Sequence, residues 1–158
     1  EQLDHAVDLY RERYRDVGYL ENALYAGVLE QLSNLKDHNF TLCLATSKPA
    51  EYAVKITAYF GIDFYLDYQF GSELDGTRSA KAELLKHGLC ATNASAQDAV
   101  MVGDRSFDIL GAHANNMPAF GVLYGYGTKD ELKAAGADGL IQGPSELAHS
   151  LITHWNRD

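Results

Sequence analysis

Ala99-Val100-Met101-Val102-Gly103-Asp104-Arg105-Ser106-Phe107-Asp108 runs four apolar residues straight into a Gly-Asp pair, with a second acid four positions after the first. The apolar run has strand length and reads as a strand buried on both faces, as in a central parallel sheet. The second acid falls where a helix should start. Two carboxylates at the carboxyl end of a parallel strand make a seat for a hard cation such as Mg²⁺, and open α/β sheets collect their chemistry at that end. The same pair also fits a structural role, with Asp104 in a turn and Asp108 complementing a helix dipole.

Outward from this run, strand and helix patterns alternate. Val28, Leu32 and Leu35 mark a helix that ends near Asp37-His38-Asn39, and Phe40–Thr46 reads as a strand. Pro49 opens the next helix, at a position where a missing N–H costs nothing, and Gly61 closes it. Tyr65–Phe70 reads as an aromatic-rich strand, Leu74–Thr77 as a turn and Ser79–Leu89 as a helix. After the Ala99–Val102 strand, Ser106 is placed to cap a helix. Pro118–Leu123 is the next strand. Thr128-Lys129-Asp130-Glu131 has the form of a capping box, with Gly136 as the stop. Leu140-Ile141 is a short strand, and Pro144 starts a last helix through Leu147, Leu151 and Trp155. The alternation predicts an α/β fold: a parallel sheet with helices on both faces. Before it, Leu3, Ala6, Val7, Tyr10, Tyr14 and Val17 recur at helical spacing, which sets a boundary near residues 20–27.

Composition narrows the function. The 158 residues fit one domain with a real core, and 46% of them are hydrophobic. A net charge of −9 argues against nucleic acid, whose phosphates need cations opposite them. No apolar run approaches a membrane span. Cys43 and Cys90 form no CxxC pair and read as reduced thiols of a cytoplasmic protein. The chain opens at Glu1 inside what reads as a helix, which hints at further residues upstream.

Two more segments carry chemistry. In Leu44-Ala45-Thr46-Ser47-Lys48-Pro49 two hydroxyls and a lysine sit where a strand gives way to a helix, so hydroxyls and unpaired N–H groups are ready to hold an anion. Plain helix capping is the alternative. Lys81 sits in the first turn of a helix, where the dipole disfavours a cation. A bound anion would explain it, and so would a side chain that snorkels to solvent.

In this order, Thr46, Lys81 and Gly103-Asp104 with Asp108 resemble the second, third and fourth motifs of the haloacid dehalogenase superfamily of phosphotransfer enzymes. The segments 45–49, 71–78 and 121–127 look like its phosphoglycolate phosphatase branch. The resemblance covers nearly all of residues 24–158 and implies a three-layer Rossmann-like core over residues 21–158. Residues 1–20 resemble the end of the small helical cap. It further implies hydrolysis of a small phosphorylated metabolite, with Mg²⁺ at Asp104 and Asp108 and the phosphoryl group at Thr46, Ser47 and Lys81. Lys48 and Arg105 are weaker candidates for the same pocket.

One family motif is absent. Asp-x-Asp-Gly-Thr, which supplies the nucleophile and the general acid, belongs after the first core strand, upstream of residue 1. Glu73-Leu74-Asp75-Gly76-Thr77 imitates it but follows the Thr46 motif instead of preceding it, and reads as a turn. The resemblance places the absent strand at the centre of the sheet, between the strands ending at Thr46 and Gly103. These residues alone are therefore expected to be inactive and poorly stable, since buried backbone groups would lack partners. A 5′-nucleotidase, a pyrophosphatase and a non-catalytic phosphate- or partner-binding module are the competing readings. Gly125-Tyr126-Gly127 is read as a tight loop near the mouth of the site, because Asp130 stands where a dinucleotide fingerprint needs its third glycine. His113 is read as structural.

Overall fold

The computed structural model describes residues 21–155 together with Arg13 and Gly18. The remainder of the expected cap segment, residues 1–20, lies outside the described residues. From residue 28 the elements alternate as the sequence predicts. Helix α1 is Val28–Asp37, strand β1 Cys43–Pro49, helix α2 Ala50–Phe60 and strand β2 Tyr68–Ser72. Helix α3 is Lys81–Thr92, strand β3 Met101–Gly103 and helix α4 Ser106–His113. Strand β4 is Ala119–Val122, helix α5 Lys129–Ala134, strand β5 Gly139–Ile141 and helix α6 Leu147–Trp155.

All pairings are parallel. β1 lies beside β2, with Cys43 opposite Tyr68 and Ala45 opposite Phe70. β3, β4 and β5 form a separate sheet in that order, with Gly103 opposite Gly121 and Gly121 opposite Leu140. The second sheet carries apolar layers on both faces. Leu35, Val122, Ile141, Leu147 and Leu151 pack on one side. Leu85, Ile109, Ala112 and Leu132 pack on the other. Burial on both faces explains why β3 and β4 read as continuous apolar runs.

β1 and β3 do not pair. A cleft of about 1140 Å³ lies between them, lined among others by Leu42, Leu44, Leu85, Val100, Val102 and Leu151. The cleft stands where the sequence reading expects an absent central strand.

Several boundaries differ from the sequence reading. β1 starts at Cys43, not Phe40, because the backbone before it is claimed elsewhere. Phe40 N–H donates to Leu35 C=O, and Leu42 N–H donates to the Asp67 carboxylate at 2.7 Å. Lys36 pairs with that carboxylate and, with the Leu42 N–H, holds it below its ordinary pKa. β2 starts at Tyr68 because Asp63–Tyr65 winds into a 3₁₀ turn. A similar turn over Pro144–Glu146 precedes α6. Ser106 does not cap α4. Arg105 occupies the N-cap, Ser106 is the first helical residue, and Asp108 accepts from the Arg105 N–H at 3.2 Å. The Glu73–Thr77 segment is a turn with Gly76 at φ 88°.

Candidate active site

Lys81, the first residue of α3, links β1 to the first turn of α4. Its Nζ donates to the Ala45 carbonyl at 2.8 Å and lies 3.0 Å from Asp108 Oδ1. Both partners of that ion pair are nearly buried, with side chains 10% and 11% exposed. Ala45 immediately precedes Thr46, so the ammonium sits between the first half of β1 and the start of α4. The two helices can approach this closely because residue 111 is glycine. A Cβ there would lie 2.7 Å from Lys81 Cγ. The snorkelling alternative for Lys81 does not hold.

The acids are fixed from two directions. Asp108 folds back over the tip of β3, where a Cβ on residue 103 would stand 2.3 Å from Asp108 Cβ. That contact is a physical reason for glycine before Asp104. Asp108 Oδ2 accepts from the Arg105 N–H while Oδ1 faces Lys81. Asp104 Oδ2 accepts from the Tyr126 N–H at 2.8 Å. Gly125 and Gly127 let that loop close on Asp104. A Cβ at 125 would fall 2.2 Å from Asp104 Cβ, and one at 127 would fall 1.9 Å from the Asp104 carbonyl oxygen. The Gly-Tyr-Gly loop thus lies against Asp104.

On the other side, Thr46 Oγ1 accepts from the Lys48 N–H at 3.2 Å, which leaves the hydroxyl its own proton to donate. Ser47 Oγ donates to the Ser79 carbonyl at 3.2 Å, so its hydroxyl is engaged in holding the approach to α3. The Ser47 carbonyl accepts from Ser72 Oγ at 3.0 Å. His113 faces Asp138 at 3.1 Å, and Asp138 also accepts from the Ala119 N–H at 2.8 Å. That matches its structural reading.

Sequence reasoning missed Glu131. Its Oε1 accepts from Ser106 N–H and Ser106 Oγ at 2.9 Å each and from Arg105 Nε at 3.0 Å. The signal was present in the capping-box pattern but was read only within its own helix. Tyr124 packs against the core. It meets Tyr25 edge-to-face at 5.2 Å, and burial raises its phenol above the ordinary pKa.

A sequence profile of haloacid dehalogenase-like hydrolases matches residues 1–122. The chain belongs to that family. It is 44% identical over 129 residues to a 5′-nucleotidase of Pseudomonas aeruginosa, covering 82% of this chain and 58% of the nucleotidase. It is 35% identical over 130 residues to tyrosine-protein kinase PtkA of Mycobacterium tuberculosis, 82% of this chain and 45% of the kinase. A phosphoglycolate phosphatase of Colwellia psychrerythraea is 30% identical over 146 residues, 92% of this chain and 65% of the phosphatase. The chain therefore spans between about half and two thirds of these relatives' lengths. The crystal structure of a predicted phosphatase from Clostridium acetobutylicum superposes with a TM-score of 0.90 at 40% identity, covering 94% of this chain and 68% of that one. These matches establish the Rossmann-like fold of the haloacid dehalogenase hydrolases.

Members of this family generally use Mg²⁺, and the donor set here fits such an ion. Among the described residues no three His, Cys, Asp or Glu side chains gather as a closed metal cage. Asp104 and Asp108 are oxygen donors of the kind Mg²⁺ takes, one or two carboxylates sufficing because the ion keeps several waters. No described helix is long and apolar enough to cross a membrane.

Proposed function

We propose that these residues form most of the active site of a Mg²⁺-dependent phosphomonoester hydrolase acting on a small phosphorylated metabolite. The observation that carries this reading is the Lys81 ammonium, which touches both the Ala45 carbonyl, next to Thr46 in β1, and the Asp108 carboxylate. It links residues of three separate motifs: the backbone beside Thr46, the lysine and the second acid.

Asp104 would ligate the ion directly. Asp108, with one oxygen toward Lys81 and the other on a backbone N–H, would order the ion's waters. An ion held there would supply positive charge to offset that of the phosphoryl oxygens. Phosphoryl transfer needs positioning and charge neutralisation above all. Thr46 donates its hydroxyl to one phosphoryl oxygen. Lys81, held at a fixed place by Ala45 and Asp108, offsets repulsion between an incoming carboxylate and the phosphate. The attacking carboxylate, and the aspartyl-phosphate formed on it, belong to a segment outside these 158 residues. The cleft between β1 and β3 supports a strand as its carrier.

For the substrate, the 44% identity to a 5′-nucleotidase favours a nucleoside 5′-monophosphate. The phosphoglycolate phosphatase relative makes 2-phosphoglycolate the second choice. The test is phosphate release from p-nitrophenyl phosphate by the full-length protein, followed by both substrates. Activity abolished by EDTA and by Asp104→Asn is expected. Turnover that survives either treatment would overturn the reading.

A further inference from the structure

Thr128-Lys129-Asp130-Glu131 forms half of a capping box. Thr128 Oγ1 accepts from the Glu131 N–H at 3.1 Å. In a full box the glutamate returns to the N-cap N–H of its own helix. Here it crosses to α4, and three donors converge on Oε1: the Ser106 N–H, the Ser106 hydroxyl and Arg105 Nε.

The place of that crossing matters. Ser106 is the first residue of α4, so its N–H has no intrahelical acceptor. Arg105 N–H, the donor just before it, goes to Asp108 Oδ2. The two amides that follow Asp104 are therefore each held by a carboxylate, one from within the acid motif and one from α5. The segment leading into α5 also supplies the Tyr126 N–H that holds Asp104 Oδ2. Residues 125–131 thus hold the first part of the 104–108 loop, at Asp104, Arg105 and Ser106. Glu131 stays ionised at working pH, since the Ser106 N–H and the Arg105 guanidinium lower its pKa to about 2.

We propose that Glu131 is a positioning residue for the divalent cation, fixing the 104–108 loop so that Asp104 and Asp108 meet the ion in register. This rests on the phosphohydrolase reading above. Groups that orient metal ligands without touching the metal typically contribute about 10- to 100-fold in affinity. The loop here has an exposed Arg105 and would drift without its anchor.

The test measures Mg²⁺ binding to the full-length protein by titration calorimetry, alongside kcat and KM for p-nitrophenyl phosphate at saturating Mg²⁺. Glu131→Ala is expected to weaken Mg²⁺ binding about 10- to 100-fold, with substrate KM at saturating metal unchanged. Glu131→Gln keeps an acceptor for Ser106 and should restore most of the affinity. Should Glu131→Ala fail to fold, Ser106→Ala removes one of the three donors, the hydroxyl, and leaves the backbone N–H and Arg105 in place; it should weaken Mg²⁺ by at least about threefold, toward the lower end of that range. Wild-type Mg²⁺ affinity in Glu131→Ala, or in Ser106→Ala when it stands in, overturns the inference. So does a Gln variant as impaired as the Ala variant. A wild-type protein that takes up no Mg²⁺ overturns the functional reading beneath it.

Discussion

The two sides of the candidate site are built differently. On the acid side, β3 to β5 form a continuous parallel sheet, and Asp104 and Asp108 each accept a backbone N–H. Three glycines, at 103, 125 and 127, let backbone and carboxylates meet at distances no Cβ would allow. On the hydroxyl side, β1 has a single paired neighbour among the described residues, β2, and its other edge faces the cleft. Thr46 is held by one turn-type hydrogen bond. Lys81 is the polar bridge from one side to the other. The acid side is braced within itself by the 125–131 segment and the hydroxyl side is not, while the free edges of β1 and β3 both face the cleft and depend on what fills it.

The largest expected effect tests that dependence. Residues 1–158 produced alone should release no phosphate and melt without a sharp transition, because buried strand edges lack partners. A cooperative melt by calorimetry would break the contrast between the sides.

Next comes the bridge. Lys81→Met in the full-length protein leaves Asp108 nearly buried without its cation, at a cost of about 3–5 kcal/mol. Urea unfolding should show it. Lys81→Met combined with Asp108→Leu should recover most of that stability, since apolar replacements of a buried pair are often neutral, and should recover no activity. Failure to recover stability would mean that Lys81 acts mainly through Ala45.

Gly127→Ala drives a methyl into the Asp104 carbonyl and should cost about 1–3 kcal/mol, with weaker Mg²⁺ binding as the Tyr126 N–H moves off Asp104. Thr128→Ala removes the α5 cap and should cost about 1 kcal/mol by urea unfolding.

The smallest effect is in pH dependence. Glu131 has a folded pKa of about 2 against an ordinary 4.5. A depressed carboxylate stabilises fully above its unfolded pKa, and the gain fades as pH falls toward the folded one. Wild-type Tm should therefore fall more steeply than that of Glu131→Gln between pH 4.5 and 2. Parallel curves would show that Glu131 makes no net contribution.

Much of the architecture was legible because it rests on local rules. Apolar runs of strand length, Gly61 in the left-handed conformation after α2, and Thr128 as a cap all follow from neighbours within a few residues. Element edges were less legible where a distant group captured the backbone. Asp67 takes the Leu42 N–H from 25 residues away and so delays the start of β1. The order Thr46, Lys81, Asp104, Asp108 marked the candidate residues, and the residue types named the chemistry.

Tertiary structure decided which of those groups touch. Nothing near Lys81 in sequence predicts that it spans Ala45 and Asp108, because that depends on how closely α3 and α4 pack across Gly111. Nor does the capping pattern foretell that Glu131 leaves its own helix for Ser106, 25 residues away. A carboxylate goes where the most unsatisfied donors are, and only the folded chain places the start of α4 within its reach.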